Sequence, residues 1–272
     1  MSDASGNTTL GTFSLQSTEF QRGLNNTAVG YGAMRTNAPS AQHNTAIGLN
    51  ALSNNTGSNN LAMGENALYN FPNPTPNSAQ SGNSNVAIGN NAMQYNTVGA
   101  QNVALGHQAL NNNATGTMNV AIGNNALQGS GSSATGTGTQ NVAIANQALN
   151  NNTTGIQNAV VGMGAGYYNT TGSNNVALGY NAMQSNTTGT DNVSIGNGAL
   201  NANATGNSHV AIGNAALQAH ASGDGNVAIG DFALATNTTG TDNVGIGVHT
   251  SSNNYSSCIL LGNNAQTLND DV

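Results

Sequence analysis

Lysine is absent from this chain, and arginine occurs only as Arg22 and Arg35. Gripping phosphate requires basic side chains, so nucleic-acid binding and attraction to anionic membranes are excluded as main functions. Tryptophan is also absent, and aromatic residues make up 4% of the chain. The single cysteine, Cys258, rules out an intrachain disulfide framework. No apolar run approaches the ~20 residues a transmembrane helix needs, so no membrane insertion is expected. The polar opening, Met1 to Leu10, has no signal-peptide pattern. What abounds instead is amide and glycine: 51 asparagines and 36 glycines. Nine acidic residues against the two arginines leave a net charge of −7. Solubility therefore rests on amides and hydroxyls rather than on charge.

These residues are arranged periodically. Aligned on the glycine of Asn-Val-Ala-Ile-Gly, fourteen anchors run from Gly30 to Gly262, with Ala145 standing for glycine once. Eight of the thirteen intervals are seventeen residues, and the others are 18, 16, 25, 22 and 15. A fixed short period over most of a chain marks a solenoid. Asn175 to Asp191 serves as the reference unit, with Asn175 as position 1. Positions 2 and 4 are aliphatic or threonine, position 3 is nearly always alanine, and position 5 is glycine. That reads as a short strand closed by a corner. Ala-Leu or Ala-Met at positions 8 and 9 reads as a second short strand, and Asn-Thr-Thr-Gly at 12 to 15 as a left-handed turn. Glycine and turn clusters every nine or ten residues argue against helix. The expected fold is all-β, a parallel β-solenoid of about fourteen 17-residue rungs.

The repeat spans residues 25–265. Residues 1–24 do not fit it and are expected to form an end cap or an attachment segment. Loop insertions fall near residues 70–83 and 129–139. The first holds three of the four prolines, which cannot donate to a strand ladder. Phe71, Asn73 and Thr75 make it a candidate recognition loop, though a tolerated insertion explains it as well. Residues 266–272 form an acidic tail.

Position 3 lies on the strand face opposite positions 2 and 4. With the larger aliphatic residues of 2, 4 and 9 inside each roll, the small column at position 3 suggests close approach of another surface. Ala87, Ala104, Ala121, Ala143, Ala177, Ala211 and Ala228 are then candidate contacts between parallel chains, though the two faces could be swapped. Asparagine recurs at position 1, where stacked amides can form a ladder. His209 and Cys258 interrupt it.

No catalytic constellation emerges. His43, His107, His209, His220 and His249 occupy five different repeat positions and read as surface or turn histidines. Asp191 and Asp242 share position 17 but lie three rungs, about 14 Å, apart, too far to share one ion. No metal, no cofactor and no enzymatic activity are expected. Sequons such as Asn186-Thr187-Thr188 and Asn237-Thr238-Thr239 recur because the turn recurs.

Asn-Val-Ala-Ile-Gly-x-Asn-Ala-Leu followed by Asn-Thr-Thr-Gly resembles the head repeats of trimeric autotransporter adhesins. It is more similar still to the repeats of bacteriophage and other viral tail fibres and spikes, over roughly residues 25 to 265. The resemblance implies a left-handed β-roll assembled side by side as a homotrimer. It implies a structural or adhesive fibre on a virion or another extracellular surface, docked on a larger assembly through the N-terminal segment and presenting loops or tip to a host glycan or surface protein. The chain shows neither a secretion signal nor a C-terminal membrane anchor, which favours a fibre or spike shaft over a whole autotransporter. A bacterial adhesin head is one alternative. An ice-binding solenoid is another, because Thr154, Thr171, Thr188, Thr205 and Thr239 share one column.

Overall fold

Only three residues per repeat take up strand conformation, and they are positions 2 to 4, where aliphatic residues flank alanine. The structure is a computed structural model and describes residues 3–15, 23–35, 40–54, 56–69, 82–129 and 136–267. It divides into two units, residues 1–140 and 141–272. The first holds β1 (Thr8–Leu10), β2 (Thr27–Val29), β3 (Thr45–Ile47), β4 (Leu61–Met63), β5 (Val86–Ile88), β6 (Val103–Leu105) and β7 (Val120–Ile122). The second holds β8 (Val142–Ile144), β9 (Ala159–Val161), β10 (Val176–Leu178), β11 (Val193–Ile195), β12 (Val210–Ile212), β13 (Val227–Ile229), β14 (Val244–Ile246) and β15 (Ile259–Leu261).

Within each unit every strand pairs in parallel with the next. Equivalent positions face each other, as in Val176 with Val193, Ala177 with Ser194 and Leu178 with Ile195. Among the described residues there is no helix. The chain is an all-β parallel β-solenoid.

Two local expectations are corrected. By sequence the segment before residue 25 stands outside the repeat. Instead Thr8–Leu10 pairs with Thr27–Val29, and Asn7 and Gly11 take positions 1 and 5 of a further rung. Positions 8 and 9 form no second strand. Met183, Leu200 and Leu217 at position 9 sit in the left-handed region, with φ of 53°, 48° and 51°. Asn181 at position 7 and Asp191 at position 17 do likewise, with φ of 50° and 58°. Each such residue costs on the order of 1 kcal/mol. What holds them is the neighbouring rung: the Met183 N–H donates to the Ala199 carbonyl at 2.9 Å, and the Asn181 N–H to the Met163 carbonyl at 3.0 Å. Backbone bonding between rungs thus continues around corners that no strand covers.

The interior reverses the expected faces. Ala87, Ala104, Ala121, Ala143, Ala177, Ala211 and Ala228 are all 0% exposed within their own chain. They point into the roll and cannot touch a neighbouring chain. The reason is space. The same interior must take alanine at position 8, leucine or methionine at position 9, and asparagine at positions 1 and 12, which leaves a methyl group's room at position 3. Ser194 fits there by donating its hydroxyl to the Ala199 carbonyl at 2.8 Å.

Two asparagine ladders run through this interior. At position 1, Asn175 Nδ2 donates to the Gly189 carbonyl at 2.9 Å, and its Oδ1 accepts the Asn192 backbone N–H at 3.1 Å. At position 12, Asn186 Nδ2 donates to Asn169 Oδ1 at 2.8 Å and to the Gly189 carbonyl at 3.0 Å. Burying an amide is tolerable only when its bonds are made, and here both ends are used. The expected left-handed turn at position 15 is therefore something else. Gly189 is glycine because a Cβ would collide with the Asn186 side-chain oxygen and the Gly206 carbonyl.

Candidate functional site

If position 3 faces inward, positions 2 and 4 face outward. The result is a sheet face carrying two parallel rows of aliphatic side chains. In the second unit both rows are apolar at every strand from β8 to β15. Eight strands at about 4.8 Å spacing make rows of about 34 Å. In the first unit the position-2 row opens with Thr8, Thr27 and Thr45, then turns aliphatic from Leu61 onward. Leu178 is 38% exposed and Ile246 42%. These values are high for the middle of a sheet, where neighbouring strands cover both flanks of a side chain. Scattered apolar residues on a surface mean little, but contiguous apolar faces mark interaction sites.

The remaining outward columns are mixed: amides and hydroxyls predominate, but Leu49, Met163, Tyr180 and Val248 are exposed at position 6, and Val98 at position 14. Thr154, Thr171, Thr188, Thr205 and Thr239 at position 14 are exposed, with Ser222 between the last two. They form a single file on a turn. The threonines beside them at position 13 are already committed: Thr153, Thr170 and Thr187 donate their hydroxyls to backbone carbonyls of the next rung at 2.9, 2.9 and 2.8 Å.

All five histidines are expected at the surface or in turns, and two of them are buried instead. His43, His107 and His249 are exposed. His209 and His220 are each 0% exposed, and their rings meet edge to face with centroids 4.5 Å apart. They occupy positions 1 and 12 of the same rung, so both asparagine ladders are substituted at one level. His209 does not interrupt its ladder. Its Nδ1 accepts the Asn226 N–H at 3.1 Å, as an asparagine oxygen would, and its Nε2 reaches the Gly223 carbonyl at 3.0 Å. Burial, together with the neighbouring His220, lowers the His209 pKa from 6.5 to about 4. Burial also lowers that of His220. The signal was present in the sequence: both residues stand where other rungs carry asparagine, eleven residues apart.

The two turn sequons at Asn186 and Asn237 are structural. Asn186 and Asn237 are 0% exposed, with side chains bonded inside the ladder. A glycan has no path to them in the folded chain. Among the described residues no group of three or more His, Cys, Asp or Glu side chains is placed to hold a metal ion. The candidate recognition residues Phe71, Asn73 and Thr75 lie outside the described residues. Among those described, no helix is long and apolar enough to cross a membrane. Comparison with known proteins adds no relative: no protein-family model matches the chain, and no curated protein matches it.

Proposed function

We propose that the protein is a structural and adhesive fibre or spike element, a solenoid shaft that associates with two further copies through the outward sheet face. The observation that carries this reading is the pair of aliphatic rows at positions 2 and 4, unbroken from β8 to β15. The chain carries mostly amides and hydroxyls elsewhere, yet leaves valine and isoleucine outside a roll whose regular rungs are already filled by alanine, leucine or methionine, and asparagine. Burying a side chain of this size contributes about 1.5–3 kcal/mol relative to full exposure. Even the fraction gained from part-exposed residues adds up over many rungs. A net charge of −7 spread over 272 residues puts little repulsion between copies. The number three, and a place on a virion or other extracellular surface, rest on the resemblance to fibre and adhesin repeats. Host glycans or surface proteins would then meet the amide- and hydroxyl-rich columns or the loops.

Light scattering at micromolar and nanomolar concentration tests the assembly. The expected mass is three times 27.1 kDa at both concentrations. A monodisperse monomer overturns the reading. A second reading, ice binding, is favoured by the exposed file of hydroxyls at position 14. Measurable thermal hysteresis in dilute solution supports it, and none rules it out.

A further inference from the structure

We infer that the His209–His220 pair makes one rung of the solenoid, residues 209–225, an acid-sensitive joint, firm at neutral pH and released when His209 takes up a proton. The argument begins with donors and acceptors. A backbone N–H can only donate, so the Asn226 N–H, 3.1 Å from His209 Nδ1, requires that nitrogen to be unprotonated. The proton of neutral His209 then sits on Nε2, which donates to the Gly223 carbonyl. A second proton on His209 has only Nδ1 to occupy, and there it meets the hydrogen of Asn226. Asparagine at position 1 carries the same bond in regular rungs, as from the Asn192 N–H to Asn175, and cannot be switched in this way.

His220 answers a proton differently. Its Nδ1 donates to the Asn237 carbonyl at 3.1 Å, and its Nε2 lies 3.4 Å from the same Gly223 carbonyl that His209 uses, so a proton on that nitrogen faces an acceptor and breaks no bond between rungs. With the two rings in contact, a cation on either opposes a cation on the other. The bond at risk joins this rung to the next, so its loss is felt at a level of the stack rather than at one side chain.

Few charges are near enough to compensate. In the same rung, Asp224 favours the protonated form of both histidines, but it sits at the surface, where its Oδ1 accepts from Asn207 N and Nδ2 at 2.7 and 3.1 Å. The preceding rung, residues 192–208, has no titratable side chain. The following rung contributes only Asp231 and Asp242, both exposed. The sign follows from linkage. Once opened, His209 has its ordinary pKa of 6.5, against about 4 when closed. The open form therefore binds more protons between these values. The closed rung is fully favoured above pH 6.5 and loses stability as pH falls towards 4, by on the order of 100-fold in the opening equilibrium.

Hydrogen exchange of the full chain at pH 7 and pH 3.5, corrected for intrinsic exchange rates, tests the joint. In the unsubstituted protein, amides of residues 209–226 should lose on the order of 100-fold more protection in acid than in a variant carrying His209→Asn and His220→Asn. Those of residues 175–191 should change alike in both. An equal change at residues 209–226 in the two proteins overturns the inference. The variant restores the residue other rungs carry, but the test does not depend on its folding. Nuclear magnetic resonance of the unsubstituted protein should show His209 titrating near pH 4 as the Asn226 amide loses protection. A midpoint near 6.5 with Asn226 still protected overturns the inference equally.

Discussion

Val160 and Gly166 exchange volume across one rung of the roll. Valine stands at position 3, where most rungs carry alanine, and is 2% exposed. Glycine stands at position 9, where most rungs carry leucine or methionine. A Cβ on Gly166 would lie 3.5 Å from the nearer Val160 methyl carbon and 3.3 Å from a Leu149 methyl. Gly166→Leu alone should overpack the rung and cost about 1–3 kcal/mol, and Val160→Ala alone should leave a void of similar cost. Together they restore the regular pair, so the double variant should recover most of the loss. Denaturant midpoints of the four proteins measure this coupling, and additive losses would refute the exchange.

Ala145 takes the corner that glycine takes in other rungs, at φ 111°. Replacing alanine by glycine ordinarily destabilises, by roughly 0.5–1 kcal/mol. Here the strain relieved is about 1–3 kcal/mol, so Ala145→Gly should stabilise, by about 1 kcal/mol. The opposite change, Gly179→Ala, forces a side chain onto φ 140° and against the backbone of Gly196, and should lower the unfolding midpoint clearly. A loss of stability in Ala145→Gly would contradict this account of the corner.

Removing one ladder amide should be costly. Asn186→Ala takes away two donated bonds and the Oδ1 that Asn203 Nδ2 reaches at 3.1 Å. Leaving buried groups unpaired should cost about 1–3 kcal/mol. Asn197, exposed at position 6, should tolerate alanine within about 0.5 kcal/mol. Equal effects at the two sites would mean the ladder contributes nothing measurable.

The outward face gives a sharper contrast. Ile195→Asp with Ile229→Asp should reduce the solution mass to 27.1 kDa while far-ultraviolet dichroism stays unchanged. Thr188→Asp, on an exposed turn, should leave the mass as it was. Retention of the assembled mass by the isoleucine variant would move the contact elsewhere.

The period, the glycine corner and the parallel register were readable because a residue and its equivalent seventeen later are stacked neighbours. Alternation also showed that position 3 opposes positions 2 and 4. Which side was inside could not be read from hydrophobicity, since valine and isoleucine are the more apolar choice and yet lie outside. What decides is room: Asn175, Met183 and Asn186 converge on one narrow interior, and that convergence depends on left-handed residues at positions 7 and 17, where asparagine and aspartate favour that conformation, and at position 9, where leucine and methionine do not. The same geometry explains why His209 and His220 looked unrelated. Their contact appears only once positions 1 and 12 are known to meet over the carbonyl of position 15. Thr8–Leu10 is not legible as a rung in the sequence because it lacks the Val-Ala-Ile wording and stands nineteen residues ahead of its partner.

The asparagine ladders have a consequence for how such a chain changes over generations. Each regular rung offers the next an identical set of donors and acceptors, so two rungs that were never adjacent are already matched. Copying or deleting one 17-residue segment leaves every junction of the remaining stack intact and alters its unit by a single step of about 4.8 Å. Length becomes an inheritable dimension adjustable in fixed increments. The irregular rungs, those bearing Val160 with Gly166 and His209 with His220, are the places where a copied segment would not go unnoticed.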